Sequence, residues 1–311
     1  MRLGIFDTHA HYDDERFEGD RDRILRSGML CSNYEAEVGG RIATAGTKGS
    51  TADDSPDMSA ADTDKTADTV SNSLSNQSDE IYIRYMTDIG CNMKSSYDVD
   101  RLTREYDNLY GAVGVIPHCV EGLTEDDMKT LAELVHENNR IVAIGEIGLD
   151  YHYDDGPDRE LQQRWFGRQM ELARELSLPI VIHSRDAAED TLRLMREHDA
   201  ASIGGVMHCY SYSKEVAEQL LRMDFYFGIG GVVTFKNAKK LIRALEAIPL
   251  ERIVLETDCP YLAPEPYRGR RNDSRALIYV AEKLAELKGV SVREVIEITY
   301  DNACRLYRLQ H

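Results

Sequence analysis

Eight short apolar, strand-like runs recur along this chain, each finishing in polar or ionisable residues. They are GIFDTHAH, IYIRYMTDIG, LYGAVGVIPH, RIVAIGEIGLDY, LPIVIHSRDA, IGGVMHCYS, FYFGIGGVV and RIVLETDCPYL. Near-continuous apolar runs of this length mark strands buried on both faces, the habit of parallel sheets. Helix-like segments lie between most of them. LTEDDMKTLAELVHENN opens on a Thr-x-x-Asp capping box and carries apolar residues at helical spacing. RELQQRWFGRQMELARELS, SKEVAEQLLRM and NAKKLIRALEAI follow, and RALIYVAEKLAEL and SVREVIEITYDNACRLYRL close the chain. Eight strand–helix units predict an α/β fold, a closed (β/α)8 TIM barrel formed by residues 1–311 as one domain, with a doubly wound open sheet as the alternative.

One segment breaks the pattern. Residues 47–80 are rich in Ser, Thr, Asp and Ala, with eight acids, two lysines and no aromatics. Such a stretch cannot bury enough apolar surface to offset its ordering entropy. It is expected to be a disordered acidic insertion, the alternative being an acidic docking loop. The rest of the chain is close to the ~250 residues typical of a barrel. The six cysteines form no CxxC pair and read as free thiols. No apolar run approaches the ~18 residues of a membrane span, so a soluble cytoplasmic protein is expected. The net charge of −18 gives no basic footprint for nucleic acid. A phosphate-bearing substrate would need cations gathered locally.

In a barrel, chemistry sits at the C-terminal ends of the strands. There the chain places His9 and His11, Glu146, His183, His208 and Asp258. Four imidazoles and two carboxylates suit one or two divalent metals. His9 and His11 are two apart, so strand alternation turns both rings the same way. Glu146 follows an apolar strand, where an unpaired carboxylate is costly; it either caps backbone or bridges two cations through its two oxygens. Each later histidine alone would read as a satisfied core residue; with the first pair both read as ligands. Asp150 is either a positioning residue or a loop cap. In IVLETDCPYL, alternation sends Glu256 and Asp258 to one face; Asp258 is preferred as nearer the strand end, with a structural role open for Glu256. Arg268, Arg270 and Arg271 cluster in a late loop. They are either solvated or a clamp for phosphate, whose oxygens match the guanidinium fork. Lys236 could add a further charge.

The motifs DTHAH, GEIGLDY, VIHSRDA, HCYS and ETDCPYL, in this order, resemble the TatD family of metal-dependent deoxyribonucleases, within the amidohydrolase superfamily. The likeness runs from Ile5 to Leu309, interrupted by the insertion. It implies the same six ligands: His9, His11, Glu146, His183, His208 and Asp258. Family members usually carry Gly-x-His-Pro-His after the third strand; here Ile116 replaces the first histidine and His118 remains, an expected contact for substrate phosphate.

These readings predict a hydrolase that cleaves DNA phosphodiesters with a metal-activated water, from single-stranded DNA or 3′ ends. One cation would sit among His9, His11, Glu146 and Asp258, the second among Glu146, His183 and His208. Asp258 would serve as proton acceptor, with Glu146 bridging. The resemblance implies Mg2+; four imidazoles by themselves favour Zn2+ or Mn2+. Arg268 and Arg271 would bind substrate. The alternative is another hydrolase on the same barrel, a deacylase, lactonase or small phosphodiesterase.

Overall fold

A computed structural model describes residues 2–26, 29–35, 37 and 80–309. Eight strands, all parallel and paired in chain order, form one sheet. They are β1 (Arg2–Ala10), β2 (Glu80–Ile89), β3 (Leu109–Val113), β4 (Ile141–Asp150), β5 (Ile180–Arg185), β6 (Gly205–Met207), β7 (Tyr226–Ile229) and β8 (Ile253–Leu255). The sheet closes just beyond β8. Ala10 bridges Cys259 in parallel, His11 N–H donates to Cys259 O at 2.8 Å, and Asp258 N–H donates to His9 O at 2.9 Å. The architecture is a (β/α)8 barrel, and the open-sheet alternative is excluded.

The helices in chain order are α1 (Arg21–Arg26), α2 (Met93–Glu105), α3 (Glu125–Glu137), α4 (Arg159–Leu176), α5 (Ala188–Glu197), α6 (Ala200–Ile203), α7 (Lys214–Arg222), α8 (Lys239–Leu245), α9 (Leu277–Lys288) and α10 (Val292–Leu306). Several start where the side chains dictate. Thr124 and Asp127 exchange the predicted capping-box bonds at α3, and Asn92–Ser95 and Ser291–Glu294 do the same at α2 and α10. Each such cap stabilises by about 1 kcal/mol.

Strand alternation divides the core in two. Phe6, Ala112, Val181, Val206 and Val254 share one cluster with Ala303 and Leu306 of α10 and with Tyr307 just beyond it; these fill the barrel below its ionisable residues. Their chain neighbours Ile5, Ile182, Met207 and Leu255 belong to the shell shared with the helices, against Phe166, Met195 and Leu220. Each such side chain contributes about 1.5–3 kcal/mol on burial.

The acidic segment lies outside the described residues except for its last member. Glu80 is the first residue of β2, in register with Arg2 and ion-paired with it, so the strand begins one residue earlier than composition suggests. The stretch preceding that segment is partly placed. Cys31 and Tyr34 are buried, and the Tyr34 ring meets Tyr267 edge-on at 5.1 Å. All six cysteines are unpaired thiols. Among the described residues, no helix is long and apolar enough to cross a membrane.

Candidate metal centre

The residues filling the barrel set the direction of those above them. His183 lies two positions after Val181, His208 two after Val206, and Glu256 two after Val254, so all three continue the inward face. Glu146 rises from β4, beside a register shift between Ile144 and Ile147. His9 and His11 stand at the end of β1, their Nε2 atoms 3.2 Å apart and their rings edge-on at 76°.

Donor atoms converge here, several of them too far apart to satisfy one another. His9 Nε2 lies 3.6 Å from Glu146 Oε2 and 3.7 Å from Asp258 Oδ1, beyond good hydrogen-bond length. His11 Nε2 lies 3.2 Å from Asp258 Oδ1, and His208 Nε2 lies 3.9 Å from both Glu146 Oε1 and Asp258 Oδ1. The rings of His9 and His208 stack face to face at 3.5 Å. Two sets, His9–His11–Asp258 and His9–Glu146–His208, each bring three donors close enough to share one cation. Glu146 turns one oxygen toward His9 and the other toward His183 and His208, as a bridging carboxylate would. Clustered imidazole and carboxylate donors of this kind fit divalent metal.

An outer layer orients these rings. His11 Nδ1 bonds Ile89 O at 2.9 Å; a carbonyl only accepts, so Nδ1 carries a proton and Nε2 is the atom that would meet a cation. Burial opposes charge on this ring, but Cys91 and Asp258 hold it well above its ordinary range. Glu256 holds His208 from behind, its Oε1 lying 3.0 Å from Nδ1 and accepting the Cys209 N–H at 2.6 Å. Burial opposes charge on His208, but Glu256 and Glu146 push the ring up to about 9. Burial likewise opposes charge on His183, which Asp150 and Glu146 outweigh, raising it to about 10. His9 is held well below the usual range by burial and by His208. Burial disfavours the Glu146 carboxylate, but His208 and His183 hold it well below its ordinary range.

The structure rearranges some sequence expectations. His183 is in neither three-donor set. Its Nδ1 meets Glu146 Oε1 at 2.8 Å and its Nε2 meets Asp150 Oδ2 at 3.0 Å, so both nitrogens are engaged by carboxylates. The expected grouping Glu146–His183–His208 stays together, with His183 Nδ1 and His208 Nε2 both facing Glu146 Oε1, at 2.8 and 3.9 Å. Asp258 does not continue β8, which ends at Leu255; its backbone turns to φ 56 and approaches the centre from the loop. Glu256 is the residue that continues the strand face, a role legible in the alternation beyond Val254. Asp150 is buried and does both things expected of it: its Oδ1 accepts the His152 N–H at 2.9 Å and its Oδ2 meets His183 Nε2 at 3.0 Å. It also lies 3.7 Å from His118 Nε2, which puts His118 at the rim of the centre.

The arginine loop departs further. The Arg271 fork is occupied by Asp20 at 2.6 and 2.8 Å and by Arg16 O at 2.7 Å, while its guanidinium covers Phe17. It ties the loop to the residues that precede α1. Arg268 is exposed and stacks on Phe235 at 4.6 Å, touching none of the converging donors. Arg185, at the end of β5 beside His183, has no carboxylate within ion-pairing distance among the described residues; its contacts are with Tyr153.

Residues 6–308 match the model of the TatD-related DNase family. The chain is 46% identical over 209 residues to YabD of Bacillus subtilis, an uncharacterized metal-dependent hydrolase, covering 67% of this chain and 81% of that protein. It is 41% identical over 209 residues to YcfH of Escherichia coli, also an uncharacterized metal-dependent hydrolase, covering 67% and 77%. Among solved structures, the TatD homolog YjjV of Escherichia coli superposes with a TM-score of 0.76 at 24% identity, over 98% of both chains. A TatD-family hydrolase from Entamoeba histolytica gives 0.72 at 20% identity, over 99% of both. These two establish the fold, and the sequence relatives carry the rest: this chain belongs to the TatD family of metal-dependent hydrolases.

Proposed function

We propose that this hydrolase cleaves phosphodiester bonds of DNA exonucleolytically, at single-stranded or 3′ ends, with two divalent ions. The observation that carries the reading is the convergence of His9, His11, Glu146, His208 and Asp258 at the barrel mouth, with Glu146 facing both three-donor sets. His183 would join as a ligand by exchanging one of its two carboxylate contacts. When bound, divalent ions make water acidic and neutralise charge developing on a phosphoryl group.

The chain's own residues do the rest. Asp258 is the more open carboxylate, its side chain 21% exposed against 7% for Glu146, and it faces incoming substrate. It accepts the proton of the attacking water and returns it to the leaving oxygen. Glu146, nearly enclosed, stays ionised and holds the two donor sets together. His118 and Arg185 lie on the rim beside Asp150 and His183, placed to orient a phosphate that the net charge of −18 repels at long range. A barrel mouth admits a strand end more readily than the middle of a duplex, which favours exonucleolytic action.

The test is a substrate panel with protein stripped of metal and reloaded separately with Mg2+, Mn2+ or Zn2+. Single-stranded DNA, recessed duplex, RNA, a carboxylate ester and a lactone are compared. Metal-restored cleavage of DNA from its ends is expected. Turnover confined to the ester or the lactone would overturn the reading.

A further inference from the structure

We propose that Tyr153 and Tyr261 are stacking platforms for nucleobases on opposite sides of the barrel mouth, so that the preferred substrate is a single strand with unpaired bases. This rests on the phosphodiesterase reading above and deepens it. Three large apolar side chains stand exposed among the described residues: Tyr97 on α2, Tyr153 at 51% and Tyr261 at 47%. The latter two flank the metal centre.

Their placement follows from strand order. Tyr261 lies in the loop after β8, its N–H bonded to Asp258 O at 2.9 Å and its ring 6.5 Å from that of His11. Tyr153 lies in the loop after β4, with its ring 5.3 Å from His118 and its hydroxyl accepting from Arg185 of β5 at 3.2 Å. Strands β8 and β4 are four places apart in an eight-stranded barrel, so the two rings stand on opposite walls with the donor cluster between them.

Both rings are held in the same manner. Arg16 lies over Tyr261 at 4.1 Å and Arg185 over Tyr153 at 5.1 Å. The Tyr261 hydroxyl is further anchored on Asp14 at 3.3 Å, and Asp14 also binds Arg16. Little side-chain freedom remains to be lost when a planar group settles on them. Aromatic faces backed by arginine suit bases of any sequence, because every base offers a π-face. Stacking also needs no net attraction, which matters in a chain of net charge −18. Bases on either side of the scissile phosphate would rest on the two rings and set the phosphate over the donors between.

The experiment compares wild type with Tyr153→Ala, Tyr261→Ala and the two Tyr→Phe variants. Binding of a fluorescein-labelled short oligodeoxythymidylate with hydrolysis-resistant phosphorothioate linkages is read by anisotropy with metal bound. Turnover of bis(p-nitrophenyl) phosphate and of the unmodified oligonucleotide is read with the same metal. Each Tyr→Ala change should weaken oligonucleotide binding by about tenfold, and each Tyr→Phe should stay near wild type. Turnover of the small diester should fall less than that of the oligonucleotide, and an abasic oligonucleotide should separate wild type from the Ala variants less than the intact strand does. If the Ala variants bind the oligonucleotide as wild type does, or lose the abasic strand and the small diester equally, the platforms are wrong. The phosphodiesterase reading stands or falls separately, on whether wild type cleaves the oligonucleotide at all.

Discussion

Asp258 occupies the left-handed backbone region, which aspartate tolerates better than most side chains, and this turn aims it back at His11. If it handles the proton, Asp258→Asn should lower kcat by about 10²-fold or more while leaving KM and fold near normal. Steady-state kinetics at saturating metal decide, and undiminished turnover would shift the role to another carboxylate. Glu256 acts through His208. Glu256→Gln is expected to weaken metal affinity by about 10–100-fold, as loss of an outer-layer partner does. Calorimetric titration checks this, and the conservative Glu256→Asp should restore part of the loss. The room for that carboxylate comes from Gly228, where a Cβ would lie 2.0 Å from Glu256 Oε2. Protonation adds a third expectation. Without metal, His183 is raised to about 10 and His208 to about 9, so near neutral pH both rings hold protons that a cation must displace. Metal uptake should therefore release protons, and apparent affinity should rise with pH toward about 10. Calorimetry in buffers of differing ionisation enthalpy reads this, and buffer-independent heats would contradict it.

At the scale of elements, the seam between β1 and β8 matters most, because β8 is only three residues long. Asp7 clasps it. Its fully buried carboxylate accepts from Thr257 N–H at 3.0 Å and from the Thr257 and Ser274 hydroxyls, each at 2.6 Å. Burial nonetheless raises this carboxyl to about 7. Asp7→Ala strands those donors and should destabilise the fold by about 3 kcal/mol, through unsatisfied buried groups. Urea denaturation measures it; an unchanged midpoint would mean that the seam is held elsewhere. The strands and the capped start of α3 were legible because apolar runs and capping boxes involve residues a few positions apart. The Arg271–Asp20 pair was not legible, since its partners are 251 positions apart.

For the whole molecule, charge and the acidic segment are the open matters. Residues 47–79 carry seven of the acids in that segment and few apolar groups. Replacing them with a short Gly-Ser linker, while keeping Glu80 for β2, should leave thermal unfolding and hydrolysis nearly unchanged. Loop closure depends only weakly on length. Loss of solubility or activity in this variant would show that the segment contributes to the barrel. On the proposed function, the acidic chain would leave the holding of a polyanion to its mouth, where the donor set, Arg185 and the two tyrosines lie.

What the sequence determined by itself is whatever depends on local period. Eight buried runs implied parallel strands, their number implied closure, and the inward face beyond Val181 and Val206 carried His183 and His208 to the mouth. What only tertiary structure decided is which of those groups meet. His11 and Asp258 are 247 positions apart, and Asp7 and Ser274 are 267 apart. Their distances depend on how the barrel closes, a cooperative result of packing that no short stretch encodes. The same closure placed Glu256 behind His208, engaged His183 with two carboxylates and set Tyr153 opposite Tyr261.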